Sequence, residues 1–425
     1  MFCVVKIKLH WQIVIALALA VMAGSLTGKD ASVFGVTFYS AYMFLGTLFL
    51  NALKMLIVPL IAASIITGIV GAGASGGVGR LGGKTILYYF FTSFIAILVG
   101  LSLVNLFTPG IIDGQPAKQL LGLSEDAGSI IANAEQRGAS DVVGLFLKMV
   151  PTNVVAAAAN GQMLGLIFFC LLFGFFMIKV PEPGGATLRQ FWQGVFDVMM
   201  RITHWVMLFA PIGVFALVAG TVAATGFGAF KPLAAFFVTV IAALAVHMFI
   251  VLPLLLFFIA RVNPKRHYQA MVPAMLMAFS TSSSSATLPL TMECVEKNAG
   301  VSNRISSFVL PLGATVNMDG TALYECVAAM FIAQAYGIEL GFAVQFTIVL
   351  VALLTSIGVA GVPSASLVAI VVILTSVGLP AEGIGLILAV DRVLDMCRTS
   401  VNVFSDSCAA VVIGRSEGEK TALVG

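Results

Sequence analysis

Six polar or charged residues near the C-terminus recur at helical spacing in the run DRVLDMCRTSVNVFSD. At about 100° per residue, they fall on one arc of roughly 100° around a helix. The six are Asp391, Asp395, Arg398, Thr399, Asn402 and Asp406. Because a charge facing lipid costs about 3 kcal/mol or more, we expect this stripe to line a bundle interior or an aqueous cavity. A salt-bridged stripe that only holds two helices together is the structural alternative.

A second group of oxygen-bearing side chains lies in the segment NMDGT, inside an otherwise apolar run. A glycine there permits local unwinding that frees carbonyl oxygens, and hard cations prefer carboxylate and carbonyl ligands. Asn317, Asp319, Asn402 and Asp406 are therefore predicted to cage small cations. Further along, Glu325 is suited to carry a proton, because burial disfavours its charged form. A carboxyl group permanently hydrogen-bonded for packing is the alternative.

The chain that positions these residues is 60% hydrophobic and 10% charged over 425 residues, with a mean hydropathy of +1.07. Apolar runs of about 20 residues cross a bilayer, and several occur, so we predict an all-α polytopic membrane protein. The basic start and first apolar run also fit a cleaved signal peptide, but the further spans that follow at once favour an uncleaved helix. The six cysteines are predicted to be buried apolar side chains, not disulfides or metal ligands.

Two predicted membrane segments are interrupted by small residues, at STSSSSATLP and SIGVAGVPSAS. Non-helical backbone survives at membrane depth only where it lines protein or a water-filled site, so the two breaks predict a transport site near the midplane. Flexible loops outside the membrane are the alternative, and the polar loop 109–140 is predicted to be exposed. The interrupted segments are 268–297 and 343–378. Helices are predicted at 9–27, 38–72, 84–108, 142–179, 193–222, 233–260, 303–335 and 381–413.

The distribution of basic residues predicts the orientation of the chain. If both interrupted segments enter and leave on one side, 13 of the 22 lysines and arginines lie on the side of the two termini and 5 on the other. The positive-inside rule then predicts that both termini of this plasma (inner) membrane protein are cytoplasmic.

Enzymatic signatures are missing from the sequence, which has no G-x-S-x-G elbow, no H-E-x-x-H and no phosphate loop. The four histidines are scattered, and the serine run 282–285 has no nearby base. An intramembrane aspartyl protease using Asp319 and an aspartate of the last helix would leave Arg398 without a role. We therefore predict neither an enzyme nor a nucleic-acid-binding protein.

The motifs SSSSATLP, FVLPLGATVNMDGTALYECVAAMFIAQ, AGVPSAS and DRVLDMCRTSVNVFSD resemble those of the glutamate/aspartate transporters, the dicarboxylate/amino acid:cation symporters. The runs LKMLIVPLI and ANGQMLGLIFF extend the resemblance over nearly the whole chain. It implies sodium-coupled symport of acidic amino acids by a homotrimer in membrane lipid. The implied fold has eight transmembrane helices and two re-entrant helical hairpins, with inverted repeats and an elevator-type movement.

The resemblance also implies a division into two bodies. The scaffold would comprise 1–80 (helices 1 and 2) and 141–225 (helices 4 and 5). The transport domain would comprise 81–140 (helix 3 and a loop) and 226–425, which holds helices 6 to 8 and hairpins near 268–297 and 343–378.

Roles for individual residues follow from the resemblance alone. Arg398 would clamp the side-chain carboxylate of the substrate, Asp395 its ammonium and Asn402 its α-carboxylate. The second hairpin would close over the substrate as the outer gate. The implied substrate-binding residues are Ser283, Ser284, Thr321, Val362, Ser366, Asp395, Arg398, Thr399 and Asn402.

Three sodium sites are implied in the same way. One uses Asp406, Asn317, Asn402 and the Gly313 carbonyl. Another uses Asp319, Asn317, Tyr89, Thr92 and Ser93. The third uses main-chain oxygens near Thr315, Ser356, Ile357 and Val359. Glu325 matches a position linked to proton cotransport and potassium countertransport.

Two alternatives to sodium-coupled symport stay open: a proton-coupled glutamate or C4-dicarboxylate carrier, and a ligand-gated ion or anion channel. One departure from the family also matters. Many prokaryotic members carry an arginine just before the serine run, and animal members carry one directly after the carboxylate matching Asp395. This chain has Ser282 and Met396 there, which leaves open how Asp395 is balanced in the empty site.

Overall fold

The structure, a computed structural model, describes residues 9–74, 80–117, 120, 147, 150–160, 163–226, 230–356, 366–380 and 383–423. These residues are mostly helical. The amino-terminal helices are α1 Leu9–Thr27, α2 Phe38–Ala74, α3 Arg80–Phe107, α4 Val154–Ala159, α5 Met163–Met177, α6 Gly184–Met207 and α7 Ala210–Thr225. The remaining helices are α8 Phe230–Ala260, α9 Pro264–Thr281, α10 Ser284–Glu293, α11 Asn303–Val316, α12 Asp319–Tyr336, α13 Phe342–Ser356, α14 Ser366–Val377 and α15 Ile384–Ser416.

Two short antiparallel β-hairpins follow the ends of α1 and α3. In the first, β1 (Ser32–Val33) pairs with β2 (Val36–Thr37), and in the second, β3 (Ile111–Ile112) pairs with β4 (Gln115–Pro116). The second hairpin begins the polar loop predicted over 109–140, and most of that loop lies outside the described residues.

By length and composition, two continuous described helices could cross a membrane, α3 and α8. The pair Gly184–Val206 and Ala210–Ala224, bent by 51°, would make a third span if it counts as one. Large apolar side chains are exposed on several helices, for example Leu87, Phe258 and Leu276. Such outward-facing apolar surface is typical of a protein surrounded by lipid.

Three segments predicted as single helices are broken. The predicted helix 142–179 contains separate helices α4 and α5, and 193–222 is divided between α6 and α7. The second break is explained by Pro211 in the first turn of α7, since proline has no N–H to continue the preceding helix. In 303–335, Asn317 and Met318 have non-helical backbone angles between α11 and α12.

The first interrupted segment forms a helical hairpin of α9 and α10. Ser282 turns the chain with a left-handed backbone (φ 51°), and Ser283 caps α10 by accepting a hydrogen bond from the Ala286 N–H at 3.2 Å. The break predicted at the serine run is therefore confirmed. In the second segment, α13 and α14 flank residues 357–365, which lie outside the described residues.

The helices pack in two groups. The first consists of α1, α2, α5, α6 and α7, with α2 and α7 at its centre. The second is built around α15, against which α3, α8, α9, α11 and α12 pack. This second group brings the polar stripe of α15 against the break between α11 and α12.

The segment after α15 returns along the ends of the second group. Glu417 pairs with Lys84 at the start of α3. The Ala422 N–H donates to the Ala299 carbonyl at 3.0 Å, and the Asn263 N–H donates to the Leu423 carbonyl at 3.1 Å. These contacts tie α3 and the base of the α9–α10 hairpin to the end of α15.

Candidate functional site

The six residues of the α15 stripe are all buried, each 5% exposed or less. Intervening Val393 is 42% exposed, so the helix presents its polar face inward and part of its apolar face outward. The prediction that the stripe faces the bundle interior is confirmed. The residues divide into a charged cluster around Arg398 and an oxygen-rich cluster around Asp406.

Arg398 is the centre of the charged cluster. Its Nη1 donates to Asp391 Oδ1 at 3.0 Å, and its Nη2 lies 2.9 Å from Asp395 Oδ1 and 2.6 Å from Ser366 Oγ. The guanidinium carbon lies 4.1 Å above the centre of the Tyr324 ring, a cation–π contact. Tyr324 in turn donates its hydroxyl to Asp391 at 2.9 Å. The guanidinium thus lies between the carboxylates of Asp391 and Asp395 and also contacts Ser366, the first residue of α14.

Asn402 joins α15 to the start of α12. Its Nδ2 donates to Thr321 Oγ1 at 3.0 Å, and its Oδ1 accepts the Gly320 N–H at 2.8 Å. A β-carbon at Gly320 would lie 2.7 Å from the Arg398 carbonyl oxygen, so this close approach requires glycine. Thr321 is therefore tied to α15 through Asn402. On the same helix face, the Thr399 hydroxyl donates to the Asp395 carbonyl at 2.7 Å.

The helical hairpin of α9 and α10 also reaches this region, since α10 packs against both α11 and α15. Ser283 and Ser284, at the turn of that hairpin, are 7% and 4% exposed. Direct contacts thus join predicted substrate residues of α14 and α15 around Arg398, and others of α12 and α15 at Asn402, whereas Ser283 and Ser284 belong to a hairpin that packs against α15. Val362 lies outside the described residues.

The oxygen-rich cluster is centred on two carboxylates. Asp319 accepts hydrogen bonds from the hydroxyls of Ser93 at 2.7 Å and Ser405 at 2.6 Å. Asn317 Nδ2 donates to Asp406 Oδ1 at 2.8 Å and to Ser405 Oγ at 3.2 Å. The non-helical backbone at Asn317 turns its side chain toward α15, so the broken helix is what creates the cluster.

Helix α3 supplies the remaining donors of the cluster. The Thr92 hydroxyl lies 3.4 Å from Asn317 Oδ1, and the Tyr89 hydroxyl donates to the Val309 carbonyl at 2.7 Å. A β-carbon at Gly313 would lie 2.5 Å from Asp406 Oδ1 and 2.7 Å from the Tyr89 hydroxyl. Tyr89, Asp406 and the Gly313 backbone therefore meet in one place, although the resemblance assigned Tyr89 to the site of Asp319.

The charge of this cluster is unbalanced. Asp319 and Asp406 are 0% and 2% exposed, and among the described residues neither forms an ion pair with a lysine or arginine. Asp319 contacts His247 Nε2 at 3.0 Å, a pair that carries opposite charges only when the histidine is protonated. A buried carboxylate needs a counter-charge or a proton. The oxygen donors around these two suit a hard cation.

The third implied sodium site is only partly described. Thr315 is exposed, and its hydroxyl donates to the Leu312 carbonyl at 3.0 Å. Ser356 is buried, and its hydroxyl donates to the Leu353 carbonyl at 2.9 Å. Ile357 and Val359 lie outside the described residues, so this site stays a prediction.

Glu325 is fully buried on α12, one residue after Tyr324. Its Oε2 accepts a hydrogen bond from the Thr355 hydroxyl at 3.0 Å. Its Oε1 has no hydrogen-bond partner among the described residues. The side chain is therefore incompletely hydrogen-bonded, which disfavours the alternative of a carboxyl group fully satisfied for packing.

The sequence of this chain is similar to known proteins over nearly its whole length. A model of the sodium:dicarboxylate symporter family matches residues 9–416. The chain belongs to this family. Among curated proteins, this symporter is 36% identical over 97% of its length to the proton/glutamate-aspartate symporter of Escherichia coli (strain K12), covering 94% of that protein. It is 37% identical over 97% of its length to the proton/sodium-glutamate symport protein of Geobacillus stearothermophilus, covering 96% of it.

An animal relative is similarly close. The symporter is 37% identical over 96% of its length to excitatory amino acid transporter 3 of Oryctolagus cuniculus and covers 86% of that protein. The family consists of symporters, so the chain is a membrane transporter and not an enzyme.

Four residues of the symporter's two clusters were not predicted as site residues. They are Asp391, Tyr324, Ser405 and His247. Asp391 and Ser405 lie in the same run as the predicted stripe, but Asp391 fitted a structural ion pair equally well. His247 is a lone polar residue in the apolar run AVHMFIVLP, and its isolation at membrane depth was the available signal. It begins a π-helical turn within α8, a feature that often marks functional positions.

Proposed function

We propose that this protein is a secondary active symporter that takes up L-glutamate and L-aspartate together with sodium. The observation that carries the proposal is the buried Arg398 guanidinium, held by two aspartates at the junction of α14 and α15. A guanidinium fork matches a planar carboxylate, and burial excludes competing water. The names of the relatives from Escherichia coli and Geobacillus stearothermophilus support the same substrates.

Substrate would bind by replacing contacts that the site now makes internally. Arg398 would turn one edge of its guanidinium from Asp395 to the side-chain carboxylate of the substrate. Asp395 would then be available to the ammonium group, and Asn402 and Thr399 would bind the α-carboxylate. Ser366 now lies 2.6 Å from Arg398. A movement of Arg398 toward the substrate would therefore be transmitted through Ser366 to the predicted helical hairpin 343–378. Val362 would belong to the same gate.

Sodium would supply the charge that the second cluster lacks. One ion would bind at Asp406 with Asn317, Asn402 and the Gly313 carbonyl. A second would bind at Asp319 with Asn317, Tyr89, Thr92 and Ser93, and a third at backbone oxygens near Thr315 and 356–359. Asn317 donates to Asp406, and Asn402 accepts the Gly320 N–H next to the break between α11 and α12. Because Asn402 would also bind the substrate, occupancy of the cation sites would favour substrate binding.

Proton coupling has support from Glu325 and from relatives named as proton symporters. A buried carboxyl group with one unpartnered oxygen can gain and lose a proton as access to water changes. We assign Glu325 to proton cotransport, with potassium countertransport when the position is deprotonated.

The proposed architecture is a homotrimer in the plasma membrane, with eight transmembrane helices, two re-entrant hairpins and both termini cytoplasmic. The two helix groups support a division into a scaffold (1–80 and 141–225) and a transport domain (81–140 and 226–425). The tie between residues 417–423, α3 and the first hairpin supports movement of the transport domain as one body in an elevator mechanism.

Uptake into proteoliposomes tests the proposal. Purified protein is reconstituted, and uptake of labelled aspartate, glutamate and succinate is measured with an inward sodium gradient, with sodium replaced by choline, and with a proton gradient alone. We expect concentrative aspartate and glutamate uptake that depends on sodium. Aspartate uptake that is unchanged without sodium would refute sodium coupling, and equilibration without concentration would indicate a channel.

A further inference from the structure

Asp395 lies between two arginines of its own helix. Arg398, three residues after it, contacts Asp395 Oδ1 at 2.9 Å, and Arg392, three residues before it, lies 3.5 Å from Asp395 Oδ2. Asp391 completes the row on the far side of Arg398, at 3.0 Å. The order in space is therefore Asp391, Arg398, Asp395, Arg392, with the sign of the charge alternating at every step.

Arg392 is buried like the rest of the row. Its side chain is 9% exposed, and its Nε has no hydrogen-bond partner among the described residues. A buried arginine is costly unless it is paired, and removing one member of a buried ion pair leaves the other charge uncompensated. The position therefore does more than fill space at the start of α15.

We propose that Arg392 is the positioning residue that holds and balances Asp395 while Arg398 turns to the substrate. This inference rests on the proposed function. If Arg398 were the sole counter-charge of Asp395, its release to a substrate carboxylate would leave a buried carboxylate bare. Arg392 contacts the opposite oxygen of that carboxylate, so its contact persists during the exchange.

The net charge of the row decides the direction of the effect. With Arg392 the row carries two positive and two negative charges. Without it the row has one net negative charge before an anionic amino acid enters, and Asp395 depends on Arg398 alone. Both changes oppose the binding of an acidic substrate. We expect Arg392→Gln to raise the KM for aspartate about tenfold, equivalent to about 1.4 kcal/mol, with the maximal rate changed less than twofold.

The test measures sodium-driven aspartate uptake by the reconstituted wild type and four variants. The variants are Arg392→Gln, Arg392→Lys, Asp395→Asn and the double variant that combines Arg392→Gln with Asp395→Asn. Arg392→Lys keeps the charge, so its KM should stay within about threefold of wild type. Because Arg392 acts through Asp395, the double variant should bind aspartate no more weakly than Asp395→Asn. Arg201→Gln, at an exposed arginine of α6, is the matched control and should leave the KM unchanged.

Several outcomes would overturn the inference: an unchanged KM in Arg392→Gln, equal losses in Arg392→Gln and Arg392→Lys, or additive losses in the double variant. If Arg392→Gln does not fold, removing its partner as well should restore a monodisperse protein, since no bare carboxylate is left. Failure of that double variant to fold would also overturn the inference. Absence of sodium-driven aspartate uptake by wild type would instead refute the proposed function itself.

Discussion

Gly313→Ala should weaken sodium binding, because the new β-carbon would enter the cluster around Asp406. It would lie 2.5 Å from Asp406 Oδ1, whereas ordinary contacts begin at 3.4 Å. The carboxylate would have to retreat by about 0.9 Å. It has little room to do so, since Asn317 holds it at 2.8 Å and the nearby Tyr89 hydroxyl is fixed to the Val309 carbonyl.

Overpacking of this kind costs about 1–3 kcal/mol. If the strain is relieved by displacing the Asp406 carboxylate, the same free energy is lost from cation binding. The sodium concentration that gives half-maximal aspartate uptake should then rise about 5- to 150-fold. The maximal rate at saturating sodium should change much less, because the charged cluster around Arg398 is untouched.

The assay is aspartate uptake by proteoliposomes over a range of sodium concentrations at constant ionic strength. Gly83→Ala is the matched control, since it lies on α3 and its β-carbon would meet nothing within 4 Å. Size-exclusion chromatography establishes that both variants are folded. A folded Gly313→Ala protein with the sodium dependence of wild type would refute the assignment of Gly313 and Asp406 to a cation site.

Three further outcomes are expected. Arg398→Cys should lower aspartate uptake at least about tenfold, from loss of a charge-assisted bond, while permitting a neutral amino acid; unchanged aspartate affinity would reject the clamp. Glu325→Gln should remove the dependence of uptake on internal potassium and on a proton gradient, and persistence of both would reject its proposed role. The hydrogen bond from Lys84 holds the pKa of Glu417 below its ordinary value. The ionised Glu417 carboxylate therefore contributes to the free energy of unfolding above about pH 4.3, and this contribution is lost as the pH falls further. Thermal unfolding of Glu417→Gln should be less acid-sensitive than that of wild type, and equal sensitivity would show that this pair is not involved.

The sequence by itself determined the class of protein and the polar face of the last helix. Apolar runs and scarce charge require a membrane helix bundle. Helical periodicity places Asp391, Arg398 and Asp406 on one face, whatever packs against it. The break within STSSSSATLP was also predictable, because small residues between two apolar arms permit a break.

Tertiary structure decided which groups of that face meet and what balances their charges. Arg392 is not among the six residues that helical spacing places on the stripe, whereas the folded site gives it a contact with Asp395. His247 gave no local sign of a partner, and its contact with Asp319 joins residues 72 positions apart. Periodicity describes one helix at a time, but a buried charge is stabilised by whichever helices surround it, and only the packed bundle specifies those.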